Sequence, residues 1–587
     1  MIITEKSILG KKWVLEDYKS HIAEKVKTQF KLPEIVARIV SQRCNDFQES
    51  ADFLSPKLRS TLPNPFDLKD MEKACKRFVK AIKKGERIAV FGDYDVDGIT
   101  SSSLLHLYFD EIGFTNFEIH IPEREEDGYG PSIPVFEKFI SNKADLIITV
   151  DCGVTANEPI SFAQKKGVDV VVLDHHEPQI SLPKAHALVD PKRLDEDGEN
   201  TYFAAVGVVF LFLVGVNKLL KEEKWFEEND LSPVNLMQFL DLVALGTVCD
   251  MVPLIKANRA FVATGLKILR KRENYGLKAL ADIGKAKYIT EYHLGYVLGP
   301  RINAGGRVGA SRIGLDLLTS KDVLTAEIMA EKLDKHNSKR KKIEAAILVQ
   351  AKKIVDDNKD DHNPVIFVAE EKWHPGVMGI IAGRLKEHYA RPTLAGVIDE
   401  DGIITGSGRS IKGIDFGKLV MKAKEKELLL EGGGHTMAVG FSCKKEKLDD
   451  LKKFLKEEIE NQLNGEKLVQ KINVSAILDA GALSFELAKT LSHLEPFGVN
   501  NREPIFVLKN AQLTKATVFG TGHLKCFFKA SNGKSIVVLL FHGTSSKLGR
   551  AMLNNIGSSF DIVGYIRQNN WKGKTTIQFF IEDAVKC

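Results

Sequence analysis

Nothing in this sequence supplies a disulfide scaffold, a membrane anchor or a strong overall charge. Its seven cysteines are scattered and no two form a Cys-x-x-Cys pair. That argues against a disulfide framework and predicts a reducing, cytoplasmic setting. The longest apolar run, Phe203 to Val216, is shorter than the ~18 residues that span a bilayer, so it predicts a buried core helix and no membrane association. The stretch MIITEKSILGKKW lacks the apolar centre of a secretory signal. Lysine and arginine exceed aspartate and glutamate by 83 to 78, a formal charge of +5. A polyanionic partner is permitted by that balance, and any basic binding surface must be local. No low-complexity segment or short repeat is visible.

What is present is length and pattern. A chain of 587 residues is too long for one core and predicts about 3–4 domains. Residues 1–85 read as mostly helical, broken by the prolines of LSPKLRSTLPNPFD. Short apolar strands then alternate with helices: RIAVFGD, ITSSSLLHLYFDEIG, FEIHIP, ADLIITVDCG, EPISFAQKKG and VDVVVLDHH. That alternation predicts a parallel sheet. A helix-rich stretch follows over 257–360, and a second, smaller α/β unit begins at NPVIFVAEEKWHPGVMGIIAGRL. After Gly465 the runs become short and β-rich, as in a small barrel. The predicted fold is therefore a multidomain α/β protein. It has a helical extension (1–85), a parallel-sheet domain (86–256), a helical linker (257–360), a smaller α/β domain (361–464) and a C-terminal β-barrel (465–587).

Three predicted strands end in acids: Asp93, Asp151 and Asp174. In an open α/β sheet ligands bind beyond the carboxyl ends of the strands, so these residues are expected to share one site. Asp95 and Asp97 follow Asp93 within four residues, His175 and His176 follow Asp174, and Asp250 ends a helix predicted from near Pro233. Like charges this close repel, and burial makes them worse. A pair of divalent cations is the expected counter-charge. Two ions about 3.5–4 Å apart suit phosphoryl hydrolysis. Carboxylate oxygens mixed with imidazoles, without cysteine, favour Mn²⁺ over Zn²⁺; Mg²⁺, which prefers all-oxygen shells, is the alternative.

The motifs GDYDVDGITS, VDCG, LDHH and GTVCDMVPL, in that order, resemble those of the DHH phosphoesterase superfamily. LGPRINAGGRVG, HPGVMGIIAGRL, GSGRS and GGGHTMAVGF resemble the linker and DHHA1 domain of its RecJ family, whose members end in an OB-fold. The resemblance implies a 5′→3′ exonuclease that hydrolyses single-stranded DNA to 5′-mononucleotides with two Mn²⁺ or Mg²⁺ ions. It implies a monomer acting in recombination and repair beside a helicase and a single-strand-binding protein. Carried over by position, the metal ligands and catalytic residues are Asp93, Asp95, Asp97, Asp151, Asp174, His175, His176 and Asp250. Many relatives carry a His four residues before their DxD. If that pair is Asp95 and Asp97, Phe91 stands there and Asp93 takes over the role; which acids bind metal directly stays open. Two rival functions are a phosphodiesterase for short oligonucleotides or cyclic dinucleotides and a DNA-binding replication scaffold without catalysis.

Glycine-flanked polar groups suit phosphate, because glycine leaves backbone N–H groups open. Ser407 and Arg409 in GSGRS and Gly433, Gly434 and His435 in GGGH are expected to anchor the 5′-phosphate, with Arg301 assisting. Asn303 and Arg307, on the Gly-containing loop expected at RINAGGR, are expected to grip the backbone near the metals. The resemblance implies that Arg124 and Tyr129 contact an unpaired base, and Trp571 in RQNNWKGK is expected to contact the strand from the barrel.

Overall fold

The computed structural model describes residues 1–123, 128, 130–465, 468–571 and 574–587, with the backbone alone at 361, 570, 571 and 574. The chain divides into two compact units: residues 63–252 with 264–468, and residues 1–62 with 253–263 and 469–587.

The first unit is built on a five-stranded parallel sheet. Its order is Phe117–His120, Ile88–Gly92, Leu146–Val150, Asp169–Leu173, Ala187–Val189. The central strands are continuous apolar runs because helices cover both faces. Met71–Lys84, Val96–Glu111, Ala205–Glu222 and Leu240–Cys249 pack together on one side. On the other, Phe136, Phe139, Ile160 and Ala163 of two helices bury Ala89, Phe91, Ile147, Val170 and Val172. The first two strands lead outward one way and the later strands the other, so the connections diverge between Ile88–Gly92 and Leu146–Val150. This is the switch point where open α/β sheets bind ligands.

The 35-residue helix Val323–Asp357 is roughly 50 Å long at its regular rise. Its first half packs on Gly299–Val308 and Arg312–Leu318, its second on Met378–Tyr389. The latter helix crosses between the parallel strands Ile366–Glu370 and Thr393–Ile398 of a second five-stranded sheet. Ile403–Arg409, Ala438–Lys444 and the edge strand Glu431–His435 complete it antiparallel.

In the other unit five strands close on themselves: Phe506–Phe519, His523–Lys529, Ser535–Leu540, Lys574–Lys586 and Ser559–Trp571, which pairs back to the first. The barrel core also takes in Ile22, Val26, Val36, Ile39 and Val40 from two N-terminal helices. The helical extension expected over 1–85 thus falls in two parts. Residues 1–62 cover the barrel and include strands Ile2–Thr4 and Lys12–Leu15, while Met71–Lys84 joins the parallel sheet. No described helix is long and apolar enough to cross a membrane.

Candidate metal centre and phosphate-binding strands

Strand register brings the acids together. Gly92 pairs with Val150 and Val150 with Leu173, so three strands end level. The acids then prolong the ladders: Asp93 N–H donates to Val150 O at 3.3 Å, Asp151 N–H to Leu173 O at 3.1 Å and Asp174 N–H to Val189 O at 3.0 Å. Asp95 caps the helix that starts at Val96, accepting from the N–H groups of Asp97 and Gly98 at 2.8 and 3.2 Å. A Cβ at Gly98 would overlap the Asp93 backbone, so only glycine lets the acidic turn fold this tightly. Asp97 accepts from Ala205 and Val206 N–H at 2.6 and 3.0 Å, where the positive end of the helix Ala205–Glu222 favours an anion. Asp250 closes the helix Leu240–Cys249. Gly246, one turn earlier, leaves room for the Asp97 carboxylate and Thr100.

Seven of the eight expected ligands converge. Asp93, Asp95 and Asp151 form one group with ligand atoms within 4.8 Å of one another; Asp97, His175 and Asp250 form a second, and Asp151, His175 and His176 a third. His175 Nε2 lies 3.3 Å from Asp151, 3.6 Å from Asp250 and 3.8 Å from Asp97. Its other nitrogen faces Phe203 O at 3.1 Å. Asp151 Oδ1 and His175 Nε2 are buried without a hydrogen-bond partner. Two orphaned ligand atoms facing each other among carboxylates are what divalent cations would satisfy, so the residues present fit the metals. Asp151 also holds a left-handed backbone, φ 61°, uncommon outside glycine but tolerated by Asp and Asn.

Asp174 collects hydrogen bonds from its own turn and from Val154. Its Oδ1 accepts from His175 N–H (2.7 Å), His176 N–H (3.2 Å) and His176 Nδ1 (2.7 Å), and its Oδ2 from Val154 N–H (2.9 Å). It stands outside the three groups of converging ligand atoms and holds both histidines in place. Burial alone would raise its pKa, but the bonds and charges of the two histidines outweigh burial and hold it below the usual carboxylate range. The bond to Asp174 pushes His176 up to about 9 against its own burial. His175, deeply buried and beside His176, falls to about 3. Burial and mutual repulsion raise Asp93, Asp97, Asp151 and Asp250.

A cleft of about 770 Å³ runs from Asp174 and His176 past Val154–Pro159 to Gly434 and His435. GSGRS and GGGH lie on β-strands. The GSGRS glycines sit where strands and helices crowd: a Cβ at Gly406 would overlap Ala395 O, and one at Gly408 would press on Phe416 and Val439. Alternation sends Ser407 and Arg409 to one face of their strand. That face meets Gly379 in the first turn of Met378–Tyr389, where a Cβ would lie 2.8 Å from Arg409 Nη2 and 3.6 Å from Ser407 Oγ. Arginine, hydroxyl and helix N-terminus together make a candidate anion cradle. Burial, and then the charges of Lys192 and Arg409, lower the pKa of His435.

Arg301, Asn303 and Arg307 lie on the helix Gly299–Val308 rather than a loop. The glycines misled because here they admit backbone: a Cβ at Gly306 would lie 3.0 Å from Tyr94 O. Arg301 is bound to Asp334 at 2.9 Å and Val297 O at 2.7 Å, which braces the helix, and Arg307 donates to Gly376 O at 3.0 Å. Arg124 and Tyr129 lie outside the described residues, as does the side chain of Trp571 at the end of its strand. Sequence reasoning passed over Gly379 and Asp190. Asp190 ends the short strand Ala187–Val189 and is fully buried; HALVD shows the same apolar-run-then-acid signal as the other three strands.

Three family models match the chain: the DHH family, N-terminal domain, over residues 87–247, the DHHA1 domain over 362–461 and the RecJ OB domain over 474–583. The single-stranded-DNA-specific exonuclease RecJ of Escherichia coli K12 is 31% identical over 561 residues, 94% of this chain and 96% of the relative. The chain belongs to the RecJ family. The RecJ of Bacillus subtilis strain 168 is 32% identical over 96% of this chain and 69% of its own length. A crystal structure of RecJ in complex with Mn²⁺ from Thermus thermophilus matches with a TM-score of 0.81 and 26% identity, over 98% of this chain and 79% of that one. The Mg²⁺ complex from the same source matches with a TM-score of 0.74 and 26% identity, over 98% of this chain and 78% of that one. Phe91 stands four residues before Asp95. Its side chain is fully buried against the His120 ring, 5.7 Å between centroids, so it offers no ligand, and Asp93 stands in the ligand group two residues on.

Proposed function

We propose that the chain is a metal-dependent 5′→3′ exonuclease that hydrolyses single-stranded DNA to 5′-mononucleotides. The observation that carries this reading is the pair of orphaned ligand atoms, Asp151 Oδ1 and His175 Nε2, inside overlapping groups of carboxylates and imidazoles. Asp93, Asp95 and Asp151 would hold one cation, and Asp97, His175 and Asp250 the other, with His176 beside Asp151. Manganese or magnesium held there would supply a water of lowered pKa and neutralise charge on the phosphate.

Water oxygen bonds to phosphorus, and the bond to the 3′-oxygen of the terminal nucleotide breaks. The released nucleotide keeps its 5′-phosphate, and the shortened strand carries a new one. Arg409, Ser407 and the first turn of Met378–Tyr389 bind that phosphate. His435 and Gly434 line the cleft that reaches Asp174 and His176. A chain with this anchor regenerates its own ligand at every cut. Asp174 keeps His175 and His176 aimed.

The same reading sets domain limits at 86–256, 257–360, 361–464 and 465–587, supported by the spans of the three family models. It has the protein act as a cytoplasmic monomer in recombination and repair, on strands exposed by a helicase and covered by a single-strand-binding protein. Free cysteines throughout suit that compartment. Digestion of end-labelled single- and double-stranded oligonucleotides, with Mn²⁺ and with a chelator, tests the proposal. Stepwise release of 5′-mononucleotides from single strands in Mn²⁺ alone is expected. Release from 3′ ends, or unchanged digestion in chelator, overturns it.

A further inference from the structure

Between Lys267 and Tyr296 the chain carries seven basic residues against three acidic ones, a surplus of four where all 587 residues total +5. Three tyrosines recur through this stretch at intervals of four, Tyr288, Tyr292 and Tyr296, and they are 65%, 55% and 70% exposed. Single exposed aromatics need no explanation. These are organised. The Tyr292 and Tyr296 rings are stacked, 5.0 Å between centroids and 23° between planes. The Arg270 guanidinium lies 4.1 Å from the centre of the Tyr288 ring and is fixed there by its bond to Ile289 O at 2.8 Å. Lys267, Lys271, Lys285 and Lys287 are exposed around them.

The stretch also has a fixed place relative to the metal centre. Tyr296 stands on a π-helical turn, Leu294–Leu298, a distortion that recurs at functional sites. Leu294 and Leu298 are buried beneath it. The Cys249 thiol reaches Leu294 O at 3.5 Å, and Gly299, which follows the turn, packs against the same thiol. The next residue after Cys249 is Asp250, one of the converging ligands. The turn that carries Tyr296 thus rests on Cys249, the chain neighbour of Asp250.

We infer that the Tyr292–Tyr296 stack, flanked by Tyr288 on Arg270 and by the surrounding lysines, is a platform on which unpaired bases of the DNA strand stack on the 3′ side of the scissile phosphate. This rests on the exonuclease reading above and extends its substrate path. Ring faces accept any base, and the lysines meet the phosphates between them, the combination that single-strand-binding surfaces use.

The test measures binding apart from cutting. In chelator, the full chain and its Tyr292→Ala/Tyr296→Ala variant are titrated into a fluorescent 5′-phosphorylated oligothymidylate and into an abasic strand of equal length. The variant is expected to bind the base-bearing strand about tenfold more weakly, the scale of base-on-aromatic stacking, and the abasic strand as tightly as the parent. Tyr292→Phe/Tyr296→Phe is expected to keep parental affinity, because the face of the ring and not its hydroxyl makes the contact. Equal affinities of parent and alanine variant for the base-bearing strand overturn the platform. So does an equal loss on the abasic strand. Digestion by the parent in Mn²⁺ is scored separately, so a failed nuclease reading is distinguishable from a failed platform.

Discussion

Asp174→Asn is expected to weaken the metal-free protein, whereas Asp151→Asn is expected to strengthen it. Both residues are buried acids at the ends of neighbouring parallel strands, yet their surroundings are opposite. Asp174 accepts four hydrogen bonds, two from the backbone of its own turn, one from the His176 ring and one from Val154 N–H. An asparagine keeps the shape but turns one acceptor into a donor, facing either Val154 N–H or the histidine side. One buried N–H then goes unsatisfied, at about 1–3 kcal/mol, and the charge-assisted bond to His176 weakens by a further ~1 kcal/mol. The sum is about 3 kcal/mol, and with a urea slope of ~3 kcal/mol/M the midpoint falls by about 1 M. Asp151 has the reverse situation: its Oδ1 bonds to nothing, and four carboxylates raise its pKa after burial does. Asparagine removes that repulsion and tolerates the left-handed backbone. Urea unfolding in chelator, followed by near-UV circular dichroism, reads both variants against the parent. Equal falls in midpoint for the two would refute the division between an acid that organises the histidines and an acid that awaits a cation.

Other expectations follow from the same geometry. Arg409→Ala should reduce affinity for a 5′-phosphorylated strand about tenfold or more, the scale of a charge-assisted bond, and spare a 5′-hydroxyl strand; paired binding curves read the difference. Chelator should abolish hydrolysis while strand binding persists, measurable by anisotropy and product release in one cuvette. Asp241, buried in the first turn of Leu240–Cys249, has a pKa that burial pushes up to about 7. A folded pKa above the unfolded value means the native state holds the extra proton. Its contribution to stability is thus full below pH ~4, lost between ~4 and ~7, and flat above. Asp241→Asn should flatten the fall in urea midpoint between pH 5 and 7, and an unchanged slope would place the proton elsewhere.

The sequence made the metal centre legible because each strand is an uninterrupted apolar run that stops at an acid, and in-register parallel pairing must bring such ends together. The same logic covered Asp190, but a three-residue strand is too short to show a run. The role of Asp174 was not legible, since the donors it collects come from its own turn and from Val154, twenty residues earlier. Glycine misled twice. In Ile403–Arg409 and in Gly299–Val308 it serves close approach of neighbouring backbone or side chains, which a Gly-rich sequence alone does not distinguish from a phosphate-binding loop. Residues 1–62 offered helices without saying what they cover, because their apolar faces are completed by side chains more than 400 residues away.

That last arrangement sets a timetable for biosynthesis. Ile22, Val26 and Val36 leave the ribosome long before Phe506, Phe528 and Phe560, the partners that bury them. At 5–20 residues per second the wait for roughly 500 further residues is about 25–100 s. Through that interval the nascent chain shows greasy helices to water, so its yield in a cell should depend on holdase chaperones more than its final stability would suggest.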